Sequence, residues 1–223
     1  MVDSPDGPVT LLEPTSLTLA EHRIGVIGAN GSGKSTLARL FNGLALPASG
    51  TVSIGGHDTA REGRDVRRRV GFVFTHPDAQ LVMPTPLEDV TLSLRRTVAD
   101  KRERRQRARE VLADIGLAAR ADVSVHALSG GQKQLLALAG ILATEPELVV
   151  ADEPTTLLDL RNTRLVADRL FGLRQQLVLV THDLELARRC DRVLVVDAAR
   201  VVFDGPAPAA VDHYIAMTED SSL

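Results

Sequence analysis

Gly28-Ala29-Asn30-Gly31-Ser32-Gly33-Lys34-Ser35-Thr36, "GANGSGKST", follows the apolar run Ile24-Gly25-Val26-Ile27 and precedes Leu37, Leu40, Phe41 and Leu44 at helical spacing. These patterns predict a strand, a glycine-rich loop and a helix, with "LPASG" at residues 46–50 ending the helix. The loop satisfies G-x-x-x-x-G-K-[ST] in the flanking context that this pattern requires. Glycines let the backbone curl so that successive N–H groups point at phosphate oxygens, with the first helical turn behind them. Lys34 is then expected to reach the β- and γ-phosphates, and the Ser35 hydroxyl to ligate Mg²⁺. A dinucleotide fingerprint does not fit, because the third glycine of G-x-G-x-x-G falls on Thr36.

The bulk numbers fit a chain built around such a loop. A length of 223 residues allows one α/β domain with a small elaboration. The apolar fraction is 44% and the charged fraction 25%, ordinary for a globular protein, so neither disorder nor a membrane-embedded chain is indicated. Lys+Arg 26 against Asp+Glu 29 leaves a net charge of −3, which supplies no general attraction to nucleic acid or anionic lipid. A membrane role is therefore expected to come through a partner. No apolar run approaches the roughly 18–20 residues needed to span a bilayer, and "MVDSPDGPVT" lacks the regions of a signal peptide. Cys190 is the only cysteine, which removes a disulfide framework and a Cys-based metal site and favours a cytoplasmic setting.

Away from the loop, residues 51–54 alternate and stop at Gly55-Gly56, and residues 70–74 read as a further strand. From Leu87 to Ala143 the pattern turns helical, with Asp100 and Ser129 as N-caps and Val111, Leu112 and Ile115 on one face. Strand patterns return at 148–151, 177–180, 193–196 and 201–203. Unbroken apolar runs separated by helical stretches predict a mostly parallel sheet covered on both faces. The arginine-rich stretches 61–69 and 102–109 carry interspersed acids and read as solvated helix faces. The run 148–151 ends in Asp152-Glu153, so two carboxylates are expected at the C-terminal strand edge, where open α/β sheets bind ligands.

A second glycine motif, Leu128-Ser129-Gly130-Gly131-Gln132-Lys133-Gln134, opens the amphipathic run "LLALAGILA" and leaves helix N–H groups aimed outward. With this motif beside the phosphate loop, the chain resembles the ATP-binding cassette family, whose signature "LSGGQ" stands here intact. The resemblance implies a P-loop NTPase (RecA-like) core with a mostly parallel sheet, antiparallel β elements and an inserted α-helical subdomain. It implies one domain over 1–223, with the core in 1–75 and 146–223 and the helical signature subdomain in 76–145. ATP and Mg²⁺ are the implied ligands. Gly28, Ala29, Asn30, Gly31, Ser32, Gly33, Lys34, Ser35 and Thr36 form the nucleotide-binding loop, and Ser35 and Asp152 hold the metal. Glu153 is the implied general base for the attacking water, and His182, after the strand 177–180, the switch histidine sensing the γ-phosphate. The signature Ser129, Gly130, Gly131 and Gln132 would close over ATP held by a second subunit, a homodimer being favoured, with D-loop Asp159 crossing between them. The remaining histidines, at 22, 57, 76, 126 and 213, receive no role.

Two departures from the family pattern stand out. Thr75 occupies the position of a glutamine that contacts Mg²⁺ and water, so metal contact there needs a bridging water. Either Thr75 weakens the relay to the membrane subunit, or Gln80 partly replaces it. No aromatic residue precedes Ile24, so adenine stacking from that segment is not expected. Either other contacts hold the base or the start is shortened, and base selectivity is expected to be loose.

"PDAQLVMPTPLEDV" (77–90) resembles energy-coupling-factor transporters, and "EPTTLLDLRN" (153–162) looks closest to the biotin-uptake ATPase of that group. The implied role is an ATPase powering vitamin uptake, biotin favoured, with cobalt or nickel as the second cargo. The implied partners are a transmembrane coupling protein and a substrate-capturing membrane protein, reached from the cytoplasmic face of the membrane. A soluble cassette acting on nucleic acid or ribosomes is the alternative of another class. It is disfavoured by the absence of a long coiled-coil interruption and of a second cassette, so no nucleic-acid partner is expected.

Overall fold

The structure is a computed structural model that describes residues 2–4 and 7–220. In chain order the first half contains β1 (Val2–Ser4), β2 (Gly7–Val9), β3 (Arg23–Ile27), α1 (Lys34–Leu40), β4 (Ser53–Ile54), β5 (His57–Asp58), α2 (Gly63–Arg69) and β6 (Val70–Val73). The helices α3 (Pro86–Ser93), α4 (Lys101–Asp114) and α5 (Gly130–Leu142) follow. The chain then runs through β7 (Leu148–Asp152), α6 (Leu160–Phe171), β8 (Gln176–Val180), α7 (Leu184–Arg188), β9 (Arg192–Asp197), β10 (Arg200–Pro206) and α8 (Ala207–Asp220).

Six strands form the main sheet in the order β10-β9-β3-β8-β7-β6. Every neighbouring pair is parallel except β10 with β9, which is antiparallel. The strands are apolar at nearly every position because helices cover both faces. Residues two apart share a face. Ile24, Val26, Val150, Val178, Val180 and Leu194 accordingly pack with Leu37, Ala38 and Phe41 around α1 and with Val66 of α2. Their alternates Val149, Ala151, Leu177 and Leu179 pack with Leu135 and Leu138 of α5 and with Val166, Ala167 and Leu170 of α6. A separate cluster built on Leu87, Val90, Leu94, Leu112, Leu117 and Leu136 joins α3, α4 and α5.

The expected mostly parallel α/β sheet is thus observed, and the element boundaries differ in ways with local causes. The strand expected over 51–54 is reduced to β4, which pairs only with β5. It ends where expected, at Gly55 (φ 56°) and Gly56 (φ 84°), a conformation that favours glycine, and it lacks residues 51–52 because β5 offers only two partners. The helical interval begins one residue early, at Pro86, because Thr85 accepts a hydrogen bond from the Glu88 N–H and Pro fits the first turn. Asp100 caps α4 by accepting from the N–H groups of Arg102 and Glu103, as its spacing predicts. The helix α8 was not apparent from its alanine-rich sequence; Ala207, Ala210 and Val211 seat it against Val193 and Val195 of β9.

Arg23 shows how the sheet edge is locked. It begins β3 yet is buried, and its guanidinium donates to the carbonyls of His22 (3.0 Å), Gln175 (2.9 Å), Phe171 (3.0 Å) and Leu173. A buried cation survives because these oxygens replace water, and they pin the α6–β8 connection beneath β3. Cys190 is buried against Gly25, and burial pushes its thiol up to about 12, which keeps it protonated and unreactive.

Gly71 in β6 lies where α5 meets the sheet: a Cβ placed there would sit 2.3 Å from Ile141 Cγ2 and 3.2 Å from Pro146 Cγ. Ile141 is β-branched and cannot swing aside freely. Gly71→Ala should therefore lower unfolding stability by about 1–3 kcal/mol, read as a lower urea midpoint at unchanged slope.

Candidate active site

The parallel pairing determines which loops meet. Val26 of β3 is level with Val180 of β8, which is level with Asp152 of β7. The segments leaving these three ends, 28–36, 152–153 and 181–182, therefore converge at one edge of the sheet.

The first segment is shaped as the phosphate-loop pattern predicts. Gly28, Gly31 and Gly33 have φ of 148°, 78° and 109°. A Cβ at Gly28 would lie 2.0 Å from the Val196 carbonyl oxygen, and one at Gly33 would lie 2.6 Å from that of Leu11, whereas Gly31 faces open space. Lys34 is buried and folds back, its Nζ donating to the carbonyls of Gly28 (2.9 Å) and Ala29 (2.7 Å). Burial lowers the Lys34 pKa, an effect opposed by the nearby Glu153 and Asp152 carboxylates. The buried Ser32 hydroxyl has no hydrogen-bond partner. A loop with an orphan hydroxyl and a lysine held only by its own carbonyls fits an added polyanion.

Ser35 Oγ donates to Asp152 Oδ1 at 2.9 Å, placing two hard oxygen donors together at the end of β7. Burial raises the Asp152 pKa; the Ser35 hydrogen bond, Arg39 and Lys34 oppose the rise, and Glu153 adds to it. A carboxylate desolvated in this way gains from a cation. Among the described residues no cluster of three or more His, Cys, Asp or Glu side chains could hold a metal. The Ser35 and Asp152 oxygens suit Mg²⁺, which commonly pairs one or two protein oxygens with phosphate oxygens of a nucleotide.

Glu153 has φ 51°, a left-handed conformation that costs a non-glycine residue about 1–3 kcal/mol and recurs at functional sites. Its Oε2 meets His182 Nδ1 at 2.7 Å and accepts from Thr156 Oγ1 at 2.8 Å. With one oxygen engaged twice, Oε1 is the oxygen left to take a proton. In the sequence Thr156 reads only as the first residue of the D-loop stretch 156–159; its bond to Glu153 depends on the turn that follows β7.

Thr75 lies at the same edge, but its hydroxyl donates to the Asp152 carbonyl at 2.8 Å. Gln80 uses both ends of its amide on backbone, accepting from Phe74 N–H and donating to Ala137 O, each at 3.3 Å. These side chains tie the end of β6 to β7 and α5. Asp89, also unremarked in the sequence, is buried and accepts from Val82 and Met83 N–H, fixing the stretch that follows Gln80.

The second motif forms its own group. Ser129 caps α5 by accepting from Gln132 N–H (3.3 Å), while Gln132 Oε1 accepts from Ser129 N–H (3.0 Å). Asp159 caps α6, accepting from both the N–H and the side-chain amide of Asn162 at 2.8 Å. The first turns of α5 and α6 lie against each other, since a Cβ at Gly131 would lie 2.3 Å from Asn162 Cγ. Among the described residues no hydrogen bond joins residues 129–132 to residues 28–36.

A family model described as ABC transporter matches residues 12–156. A Deinococcus radiodurans protein, named for an ABC transporter ATP-binding role without a substrate, is 50% identical over 92% of this chain and 90% of its own length. The biotin transport ATP-binding protein BioM of Rhizobium etli is 44% identical over 93% and 92%. The energy-coupling factor transporter ATP-binding protein EcfA1 of Halalkalibacterium halodurans is 40% identical over 85% and 70%. Among solved structures, cbiO1 from Clostridium perfringens, part of the ABC transporter complex cbiONQ, superposes with a TM-score of 0.80 at 29% identity, covering 100% of this chain and 92% of that one. An ATP-binding cassette captured as a dimer in a post-hydrolysis state with ADP and Pi gives 0.78 at 31% identity, covering 88% and 90%. The phosphate loop, the paired carboxylates and these likenesses agree: the chain belongs to the ABC transporter family, as an ATP-binding subunit that hydrolyses ATP.

Proposed function

We propose that two copies of this chain clasp ATP between the phosphate loop of one and the signature of the other, and thereby power an energy-coupling-factor importer. The observation that carries the hydrolytic part is the convergence of the Ser35–Asp152 and Glu153–His182 pairs on neighbouring strand ends. The separation of Ser129, Gly130, Gly131 and Gln132 from the chain's own loop supports a composite site, as does the dimeric state of the solved relative. The relatives named for biotin transport and energy-coupling factor support the importer type, with biotin as the favoured cargo.

In this reading residues 28–36 curl around the triphosphate, and Lys34 leaves the Gly28 and Ala29 carbonyls for the β- and γ-phosphates. Ser35 and Asp152 would hold Mg²⁺, with Thr75 contributing through water, and the ion would supply charge neutralisation on the phosphate oxygens. His182 and Thr156 hold Glu153 by Oε2, so that Oε1 takes the proton of the attacking water. Water bonds to the γ-phosphorus as its bond to the β–γ bridging oxygen breaks, releasing phosphate and ADP. The partner's signature covers the γ-phosphate, and Asp159 lies between the two sites.

Among the described residues no helix is long and apolar enough to cross a membrane, and we place the chain on the cytoplasmic face, held by membrane partners. A cleft of about 450 Å³ lined by Asp78, Leu81, Val82, Met83, Val125 and Lys133 offers the coupling protein a seat. It borders Gln80, whose amide is hydrogen-bonded to Phe74 at the end of β6 and to Ala137 of α5.

Glu153→Gln should still bind ATP, lower turnover by about 10²- to 10⁴-fold and accumulate as a closed dimer on size exclusion with Mg-ATP; unimpaired turnover would refute the role of the base. Lys34→Ala should lose most nucleotide binding in an equilibrium assay. With membrane partners present, Gln80→Ala should lower transport-coupled hydrolysis and Thr75→Gln should raise it. Unchanged rates in both would remove these residues from the relay.

A further inference from the structure

The signature loop of one chain makes its tightest approach to the start of α6 at one side chain, Asn162. The two signature glycines differ there. A Cβ at Gly130 would find its nearest atoms, Leu157 O and Leu158 Cδ2, at 3.9 Å, which is comfortable contact. A Cβ at Gly131 would lie 2.3 Å from Asn162 Cγ, 2.5 Å from Oδ1 and 2.7 Å from Cβ, closer than packed atoms approach. Gly131 is helical, so backbone freedom does not explain the glycine. Turning the Asn162 side chain aside would break its amide's bond to Asp159 (2.8 Å) and would leave its Cβ, fixed by the backbone, 2.7 Å away.

We propose that Asn162 is a positioning residue: it sets the signature loop at a fixed distance from Asp159 of the same chain, and it, rather than the nucleotide, is what requires glycine at position 131. This rests on the composite-site reading above. A side chain at 131 would push the first turn of α5 away from α6, and with it the Ser129 cap that faces the partner's γ-phosphate. Asp159 and Glu153 belong to one short connection between β7 and α6. Movement of Asp159 at one ATP site is thereby passed through Asn162 to the signature serving the other.

The test uses the full chain in a Glu153→Gln background, titrating Mg-ATP and following dimer formation by sedimentation, with monomer affinity for a fluorescent ATP analogue measured in parallel. Gly131→Ala should raise the ATP needed for half-dimerisation by between about 10- and 100-fold, the cost of misplacing a group by an ångström or so. Adding Asn162→Gly should bring it back to the value of Asn162→Gly alone. Asn162→Asp, which sets a carboxylate against Asp159, should raise it as well. Monomer affinity and the melting temperature of Asn162→Asp without nucleotide should stay at parental values, which a merely structural role would not allow. If Gly131→Ala is equally impaired with and without Asn162→Gly, or is unimpaired, the proposal is overturned while the composite site stands. If the Glu153→Gln parent stays monomeric at saturating Mg-ATP, both fall together.

Discussion

The hydrogen bond from Ser35 Oγ to Asp152 Oδ1 joins two parts of the chain 117 residues apart, and the rest of the site is arranged around it. It exists because α1 starts at the end of β3, Asp152 ends β7, and β8 lies between them in matched register. The same register brings His182, just beyond β8, beside Glu153, just beyond β7. Slipping any strand by one residue would exchange its buried faces and separate these pairs. The register of β3, β7 and β8 is therefore a constraint on catalysis as much as on folding.

The site is electrostatically unbalanced in itself. Burial lowers the Lys34 pKa and raises that of Asp152, so desolvation opposes the charged form of each. Glu153 adds a left-handed backbone, and Ser32 an unpartnered hydroxyl. A bound polyanion would reduce the costs at Lys34 and Ser32, and a cation that at Asp152. Arg23 supplies the contrast: its buried guanidinium is saturated by carbonyl oxygens and fixes the frame without needing a ligand. Groups left wanting partners at the sheet edge, against groups satisfied beneath it, separate the working part of the molecule from its support.

Most of the core could be read directly. The phosphate loop, the parallel strands and the caps at Asp100 and Ser129 are local patterns whose meaning depends on a few adjacent residues. What stayed hidden depends on distant partners. Nothing in "EHRIG" distinguishes Arg23 from a surface arginine until the carbonyls of the α6–β8 connection surround it. Thr75 reads as a residue that meets the metal through water, and only the structure adds that its hydroxyl hydrogen goes to the Asp152 carbonyl, which leaves its lone pairs to accept from such a water. Gly131 reads as one of two phosphate-facing glycines, and only the approach of Asn162 tells them apart. The strand expected over 51–54 stops at Gly55-Gly56 as read, but keeps only Ser53 and Ile54, because its one partner, β5, is two residues long.

The central claim is that each hydrolytic site is built from two chains. Its most direct test mixes two disabled proteins: Lys34→Ala, which lacks a working phosphate loop, and Gly130→Asp, whose new carboxylate has room within its own chain but opposes phosphate. Each homodimer has two broken sites, whereas a mixed dimer has one intact site. The account predicts that the mixture hydrolyses ATP well above the sum of the two proteins measured alone. Hydrolysis equal to that sum, with mixed dimers present, would contradict it.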